Sequence, residues 1–131
     1  MTALKERGES GFFMEIKDLI GEIDQFASDR DWNQFHTPKN LASSISIEAA
    51  ELLECFQWND PEISEVIEND ELLESVKEEI ADVMIYSLRM CSILNLDAID
   101  EICKKLEQNK KKYPVDVSRG RSTKYDKRGS R

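Results

Sequence analysis

Apolar side chains recur every three to four residues along most of the chain, which is the spacing of an amphipathic helix. The pattern predicts a short helical turn over about 61–68 and four main helices, at about 12–29, 38–58, 70–95 and 98–112. Thr37-Pro38 and Asp60-Pro61 place a capping side chain before a proline, as at helix N-termini. Asp97 is predicted to cap the last helix, which Pro114 ends. No stretch sustains the two-residue alternation of a strand. The sequence therefore predicts an all-α fold of the four-helix-bundle type.

The third main helix, 70–95, has a wide apolar face and is predicted to lie at the centre of the fold. We expect an all-α domain over residues 1–115, followed by a basic, extended C-terminal tail over 116–131. The sequence has neither a run of about 18 apolar residues nor a signal-peptide core near its N-terminus. A soluble, cytoplasmic protein without a membrane partner is expected.

The distribution of charge along the chain is more informative than the net charge. The 131 residues carry a formal net charge of -9, but residues 48–82 hold 13 acids and one base, whereas residues 104–131 hold 11 bases and three acids. An acidic middle and a basic end indicate a bound cation in one place and a bound anion in the other. A single histidine and the lack of a Cys-x-x-Cys pair argue against zinc and against a helical di-iron centre.

Two pairs of acids stand at matching positions on the second and third main helices. Glu48 and Glu51 form one pair, and Glu79 and Asp82 form the other. With about 100° per residue, each pair borders the apolar stripe of its helix, so the four carboxylates converge if the stripes pack together. Anions gathered at a half-buried edge favour a hard cation, Mg²⁺ or Mn²⁺, and magnesium commonly binds together with phosphates. Either pair alone is more typical of a solvated helix face; the matched phase favours the metal site.

Several other side chains are candidates for holding a nucleotide beside such a metal. Trp58 and Tyr86 fall on the acid-bearing sides of their helices and could stack on a base, although packing at the rim explains a lone tryptophan as well. Trp32 and His36 lie in the connection after the first helix, where a capping or core role is an equal alternative for the histidine. Lys105 and Asn109, one turn apart on the last helix, could hold a phosphate and a base edge, or simply form a solvated helix end.

Three runs of this sequence resemble the all-α nucleotide pyrophosphohydrolases, the MazG-like and dCTP pyrophosphatase group. The runs are RDWNQFHTPKNLASSISIEAAELLECFQW, EEIADVMIY and NKKKYP. The family pattern Glu-x-x-Glu followed by Glu-x-x-Asp is met by the two acid pairs. The resemblance implies a dimer or a dimer of dimers that binds Mg²⁺ through those four acids. It also implies a pocket for a nucleoside triphosphate lined by Trp32, His36, Trp58, Tyr86, Lys105 and Asn109.

The activity that the resemblance implies is cleavage between the α and β phosphates, which releases a nucleoside monophosphate and pyrophosphate as a step in nucleotide-pool housecleaning. Glu51 is the candidate catalytic carboxylate that activates water, and Lys112 and its neighbours are expected to assist the leaving pyrophosphate. Ile23 stands where dCTP-specific relatives have a histidine, so the preferred base stays open. The alternatives are a non-catalytic helical partner protein and a nucleic-acid-binding module that uses the basic C-terminal segment; the acidic middle argues against the latter.

Overall fold

The computed structural model describes residues 14–122, and every regular element within them is a helix. The helices are α1 (Ile16–Asp29), α2 (Pro38–Glu54), α3 (Ile63–Glu68), α4 (Asp70–Ile93), α5 (Ala98–Lys112) and α6 (Val115–Ser118). The predicted all-α fold is confirmed, and each of the four predicted main helices has its counterpart in α1, α2, α4 or α5.

Two of the main helices begin where a capping side chain was predicted, whereas the Asp60-Pro61 signal was wrong: α3 begins at Ile63, and its N-cap Glu62 makes no side-chain capping bond. The Thr37 side chain accepts a hydrogen bond from the Asn40 backbone N–H at 3.2 Å, and Pro38 occupies the first turn of α2. The Asp97 side chain accepts from the Asp100 N–H at 2.9 Å and opens α5 in the same way. These side chains satisfy backbone donors that a helix N-terminus leaves without partners, which explains why its start can be predicted from local sequence.

The predicted start of the first main helix and the predicted end of the second were wrong, and the third main helix ends at Ile93 instead of 95. Residues 14 and 15 are not helical, so α1 begins at Ile16; residues 12 and 13 of the predicted helix lie outside the described part of the chain. The end of α2 was predicted at 58, but the helix ends at Glu54. Phe56 and Gln57 donate to carbonyls three residues back, at 2.9 and 3.2 Å, so the chain tightens into turns and the helical phase is lost before Trp58.

The chain separates into two compact units between Asn95 and Leu96. In the first unit, α4 contacts α1, α2 and α3, and its most extensive contact is with α2. This confirms the predicted central position of the third main helix. Leu41 of α2 and Ala27 of α1 are the most deeply buried residues of this unit, each 1% exposed. The packing of α2 against α4 is the feature that brings the two acid pairs together.

A left-handed residue turns the chain sharply after α1. Asp31 has φ 54°, a conformation that aspartate tolerates better than most residues. The turn lets the backbone N–H of Trp32 donate to the Ala27 carbonyl at 2.9 Å, while the Asp31 N–H donates to the Ser28 carbonyl at 3.0 Å. Together these two bonds form a Schellman motif, which closes α1 and fixes where Trp32 leaves the helix.

The second unit contains α5 and the one-turn helix α6. The tail was predicted to be extended, but its first residues are helical, because the Pro114 carbonyl accepts hydrogen bonds from the N–H groups of Val117 and Ser118 at 3.2 and 2.9 Å. The proposed division into a domain over 1–115 and a tail over 116–131 stays a prediction. Within residues 14–122, no helix has both the length and the apolar character to cross a bilayer.

Candidate active site

Three carboxylates from α2 and α4 meet in the first unit. Glu48, Glu51 and Glu79 each offer an oxygen within 4.8 Å of the others. Glu48 and Glu79 are half-buried, whereas Glu51 is exposed. Asp82 lies outside this tight group, although its charge acts on both Glu48 and Glu79. The packing therefore brings together three of the four predicted ligands and places the fourth close enough to influence them.

The protonation of this group reflects its crowding. A hydrogen bond shared with Glu51 raises the pKa of Glu48 to about 7; burial, a hydrogen bond to Glu79 and the charges of Glu51 and Asp82 add to the effect. Burial likewise raises the pKa of Glu79, and Glu51 and Asp82 reinforce the effect, whereas a hydrogen bond with Glu48 opposes it. A proton is thus held among these carboxyl groups at a pH where carboxylates are ordinarily ionised.

The donor set suits a hard divalent cation. The Oε2 atoms of Glu48 and Glu79 are buried, and none of the residues 14–122 donates a hydrogen bond to either. Buried carboxylate oxygens without donors are costly, and a cation that replaces the shared proton would satisfy them. Because the ligands are all oxygen atoms, they fit Mg²⁺ or Mn²⁺ better than a thiolate- or imidazole-seeking metal. The cluster could therefore hold a metal ion.

A cavity of about 480 Å³ lies in the same unit, with Asp82 in its wall. Three of the predicted nucleotide-binding side chains, Trp32, His36 and Tyr86, line it. Its remaining walls are mainly apolar side chains of α1 and α4: Leu19, Ile23, Phe26, Ala27 and Ile85. An apolar pocket with a few polar groups and a carboxylate in its wall has the features expected for binding a flat organic ring.

The aromatic groups of the cavity form a contiguous wall. The rings of Phe26 and Trp32 meet edge to face with centroids 5.6 Å apart, and the Trp32 and His36 rings are 6.2 Å apart. Burial and the nearby charges of Glu48 and Asp82 raise the pKa of Tyr86, so its hydroxyl stays protonated at neutral pH and can donate a hydrogen bond. Tyr86 thus links the acidic cluster electrostatically to the aromatic cavity.

The four remaining predicted substrate-binding residues have different outcomes. Trp58 is not among its lining residues and is 84% exposed, in the turn that follows α2. Lys105, Asn109 and Lys112 lie on α5 in the second unit, and their role in a nucleotide site stays a prediction.

Sequence reasoning missed a polar network behind the cavity. Arg89 of α4 is 7% exposed, and its guanidinium donates hydrogen bonds to Asp24 Oδ1 at 2.7 Å, Asn33 Oδ1 at 2.7 Å and His36 Nδ1 at 3.0 Å. The Ser92 hydroxyl donates to the other oxygen of Asp24. The signal that could have revealed it is a lone arginine in the apolar run 83–94, since a buried charge requires partners.

The fold and the cluster define a helical protein whose carboxylates could hold a metal ion beside an aromatic cavity. The model of the MazG-like family matches residues 43–127, which is more than half of the chain. The chain belongs to the MazG-like family, and the resemblance inferred from its sequence motifs is confirmed.

Individual relatives point in the same direction. The dCTP pyrophosphatase 1 of Rattus norvegicus is 36% identical over 111 residues, which are 84% of this chain and 65% of the relative's length. The Homo sapiens protein of that name is 34% identical over 111 residues, which are again 84% of this chain and 65% of the relative's length. The chain thus matches slightly less than two thirds of these relatives. A crystal structure of a pyrophosphatase from Archaeoglobus fulgidus is similar with a TM-score of 0.67 and 43% identity, over 79% of this chain and 95% of that one.

Proposed function

We propose that this protein is a Mg²⁺-dependent hydrolase that cleaves nucleoside or deoxynucleoside triphosphates between the α and β phosphates. The products are a nucleoside monophosphate and pyrophosphate. The observation that carries the proposal is the convergence of Glu48, Glu51 and Glu79 in the unit whose aromatic cavity has Asp82 in its wall. The names of the relatives, dCTP pyrophosphatase 1 and pyrophosphatase, support the same reaction class. A cytoplasmic role in nucleotide-pool housecleaning rests on the sequence and the resemblance alone.

The acidic residues are assigned two roles, metal binding and activation of water. Glu48, Glu51, Glu79 and Asp82 would hold Mg²⁺, which when bound neutralises phosphate charge and makes water more acidic. Glu51 is the exposed member of the cluster, so a water molecule can reach it from solvent. Its carboxylate orients this water and accepts its proton as the oxygen bonds to phosphorus. The attacked atom is the α phosphorus. The bond between it and the oxygen that bridges to the β phosphorus then breaks, and pyrophosphate leaves with the electron pair of that bond.

The other predicted residues would bind the substrate. Trp32, His36 and Tyr86 would surround the nucleobase in the cavity that they line. The resemblance assigns Trp58, Lys105 and Asn109 to the nucleotide pocket, and the positive charge of Lys112 would assist the leaving pyrophosphate. Ile23 lies in the cavity wall, and by the resemblance it stands where dCTP-specific relatives have a histidine. A preference for cytosine therefore does not carry over to this chain.

The reaction is tested by product analysis with a panel of ribo- and deoxynucleoside triphosphates, in Mg²⁺ and in excess EDTA. We expect monophosphate and pyrophosphate in equal amounts, only with the metal. Water labelled with heavy oxygen shows which phosphorus is attacked, and substrates with a methylene group between the α and β phosphates should resist cleavage. Release of diphosphate and inorganic phosphate, or no turnover on any nucleotide by the folded protein, would refute the proposal.

We further propose that the protein assembles as a homodimer or as a dimer of dimers. What supports this is the exposure of large apolar side chains in the first unit, among them Leu53, Ile80 and Met84, the last by 58%. Ile80 and Met84 are one turn apart on α4, and a patch of this kind is commonly covered by a second copy.

Met84→Lys should weaken the assembly, because a lysine buried at an interface loses its hydration. We expect the dissociation constant to rise at least about tenfold. Light scattering coupled to size-exclusion chromatography over a concentration series measures it. Ser75→Lys, which adds the same charge at an exposed position of α4, is the matched control. A monomer at every concentration of the unchanged chain would contradict the assembly.

A further inference from the structure

The Arg89 network contains a hydrogen bond whose direction can be assigned from chemistry alone. The Nε–H of Arg89 faces His36 Nδ1 at 3.0 Å. A guanidinium offers only donors and remains charged at any pH the fold tolerates. The facing nitrogen of the imidazole must therefore present its lone pair, so in neutral His36 the proton resides on Nε2.

The remaining bonds of Arg89 make this arrangement rigid. Asp24 from α1 pairs with Nη1 and Asn33 from the loop accepts from Nη2, both at 2.7 Å. Ser92 holds the second oxygen of Asp24, so the guanidinium has no freedom to turn away from the imidazole. The whole network is part-buried, where competition from water is weak.

We propose that Arg89 is a positioning residue that locks His36 as the neutral Nε2–H tautomer, so that His36 offers the cavity one hydrogen-bond donor for an acceptor atom of a nucleobase. A carbonyl oxygen or an unprotonated ring nitrogen fits this donor. The base as ligand rests on the proposed function; the tautomer does not.

The charges around the cavity are consistent with a neutral imidazole. Burial, and secondarily the positive charge of Arg89, lower the pKa of His36. The other titratable groups lining the cavity are Glu22 from α1 and Asp82 and Tyr86 from α4, and Asp24 is neutralised by its pair with Arg89. A neutral donor suits an uncharged base better than it suits a phosphate group, which would favour a cation.

The tautomer can be read directly, because the chain has a single histidine. A proton–nitrogen correlation spectrum of the untagged protein, labelled with ¹⁵N, reports His36 alone. At pH 7 we expect a protonated Nε2 and an unprotonated Nδ1. Arg89→Met should allow both tautomers and raise the titration midpoint, whereas Arg119→Met, which makes the same change at an exposed arginine outside the network, should keep the wild-type pattern. Protonated Nδ1 in the wild-type protein would overturn the inference.

Kinetics supply a second, independent measurement. For the best triphosphate substrate, Arg89→Met should raise KM about five- to tenfold, the effect of one misplaced hydrogen bond, with a much smaller change in kcat. Inhibition by inorganic tripolyphosphate, which has no base, should be unchanged. If the variant bound the substrate and tripolyphosphate more weakly by the same factor, or if kcat fell while KM stayed unchanged, the assignment would be overturned. The wild-type spectrum needs neither turnover nor a folded variant, so failure of the proposed function and failure of this inference give different results.

Discussion

Glu51→Gln is expected to lower kcat for pyrophosphate release by about 10²–10⁴-fold, the range for loss of a positioned base. Glutamine keeps the size of the side chain but can neither accept the proton of the attacking water nor supply a negative charge to a metal. Because Glu51 is exposed and Glu48 and Glu79 are half-buried, the change should perturb chemistry more than folding. Steady-state assays at saturating Mg²⁺, with circular dichroism to confirm the helical fold, measure the effect.

Glu54→Gln is the matched control for this experiment. Glu54 is exposed, lies one turn further along α2 and is not a member of the carboxylate cluster. We expect its activity to stay within about twofold of wild type, as is usual for surface changes. If Glu51→Gln were as active as this control, Glu51 could not be the group that activates water.

Stability without metal should fall as the pH rises, by roughly 5 °C in Tm between pH 5 and pH 8. Glu48 has a pKa of about 7 in the folded protein, against its ordinary 4.5. Between these values the folded chain keeps a proton that the unfolded chain has lost, so unfolding releases a proton and rising pH favours it. The raised pKa of Glu79 acts in the same direction. Above pH 7 the ionised cluster should bind Mg²⁺ tightly, and the ion should restore the lost stability.

Thermal melts in EDTA and in Mg²⁺ test this prediction across the pH range. Glu48→Gln should flatten the pH dependence, raise the metal-free Tm at pH 8 and reduce the stabilisation by Mg²⁺. The control is Glu78→Gln, which makes the same change at an exposed residue next to Glu79. A metal-free Tm that rises between pH 5 and pH 8, with a control that behaves like wild type, would show that repulsion among these carboxylates does not destabilise the fold.

The sequence predicted the features that depend on local rules. Thr37 and Asp97 cap their helices by bonds within four residues of chain. Helical phase places Glu48, Glu51 and Glu79 beside the apolar stripes of α2 and α4, and the packing of those stripes then brings the three carboxylates together. Trp58 was predicted to lie on the helix but follows its end. The chain changes to shorter-range hydrogen bonds after Glu54, and such a change depends on small energy differences that local sequence does not reveal.

Contacts between distant parts of the chain were beyond such rules. The partners of Arg89 lie 53 to 65 residues away along the chain, on α1 and in the loop after it. No periodicity links a guanidinium to acceptors at those separations, because only the packing of α1 on α4 brings them together. The exclusion of Asp82 from the tight carboxylate group likewise depends on details of packing that helical phase does not resolve.

The segment between α1 and α2 is fastened at several points along its length. The Trp32 N–H is bound to Ala27, the Asn33 side chain to Arg89, and the Asn40 side-chain amide donates to the Phe35 carbonyl at 2.9 Å. Binding usually costs about 0.5–1.5 kcal/mol for each flexible side chain that must be immobilised. Here that conformational entropy is given up during folding, so a ligand that enters the cavity beside Trp32 and His36 finds its walls already in place and can bind by docking, without first ordering the loop.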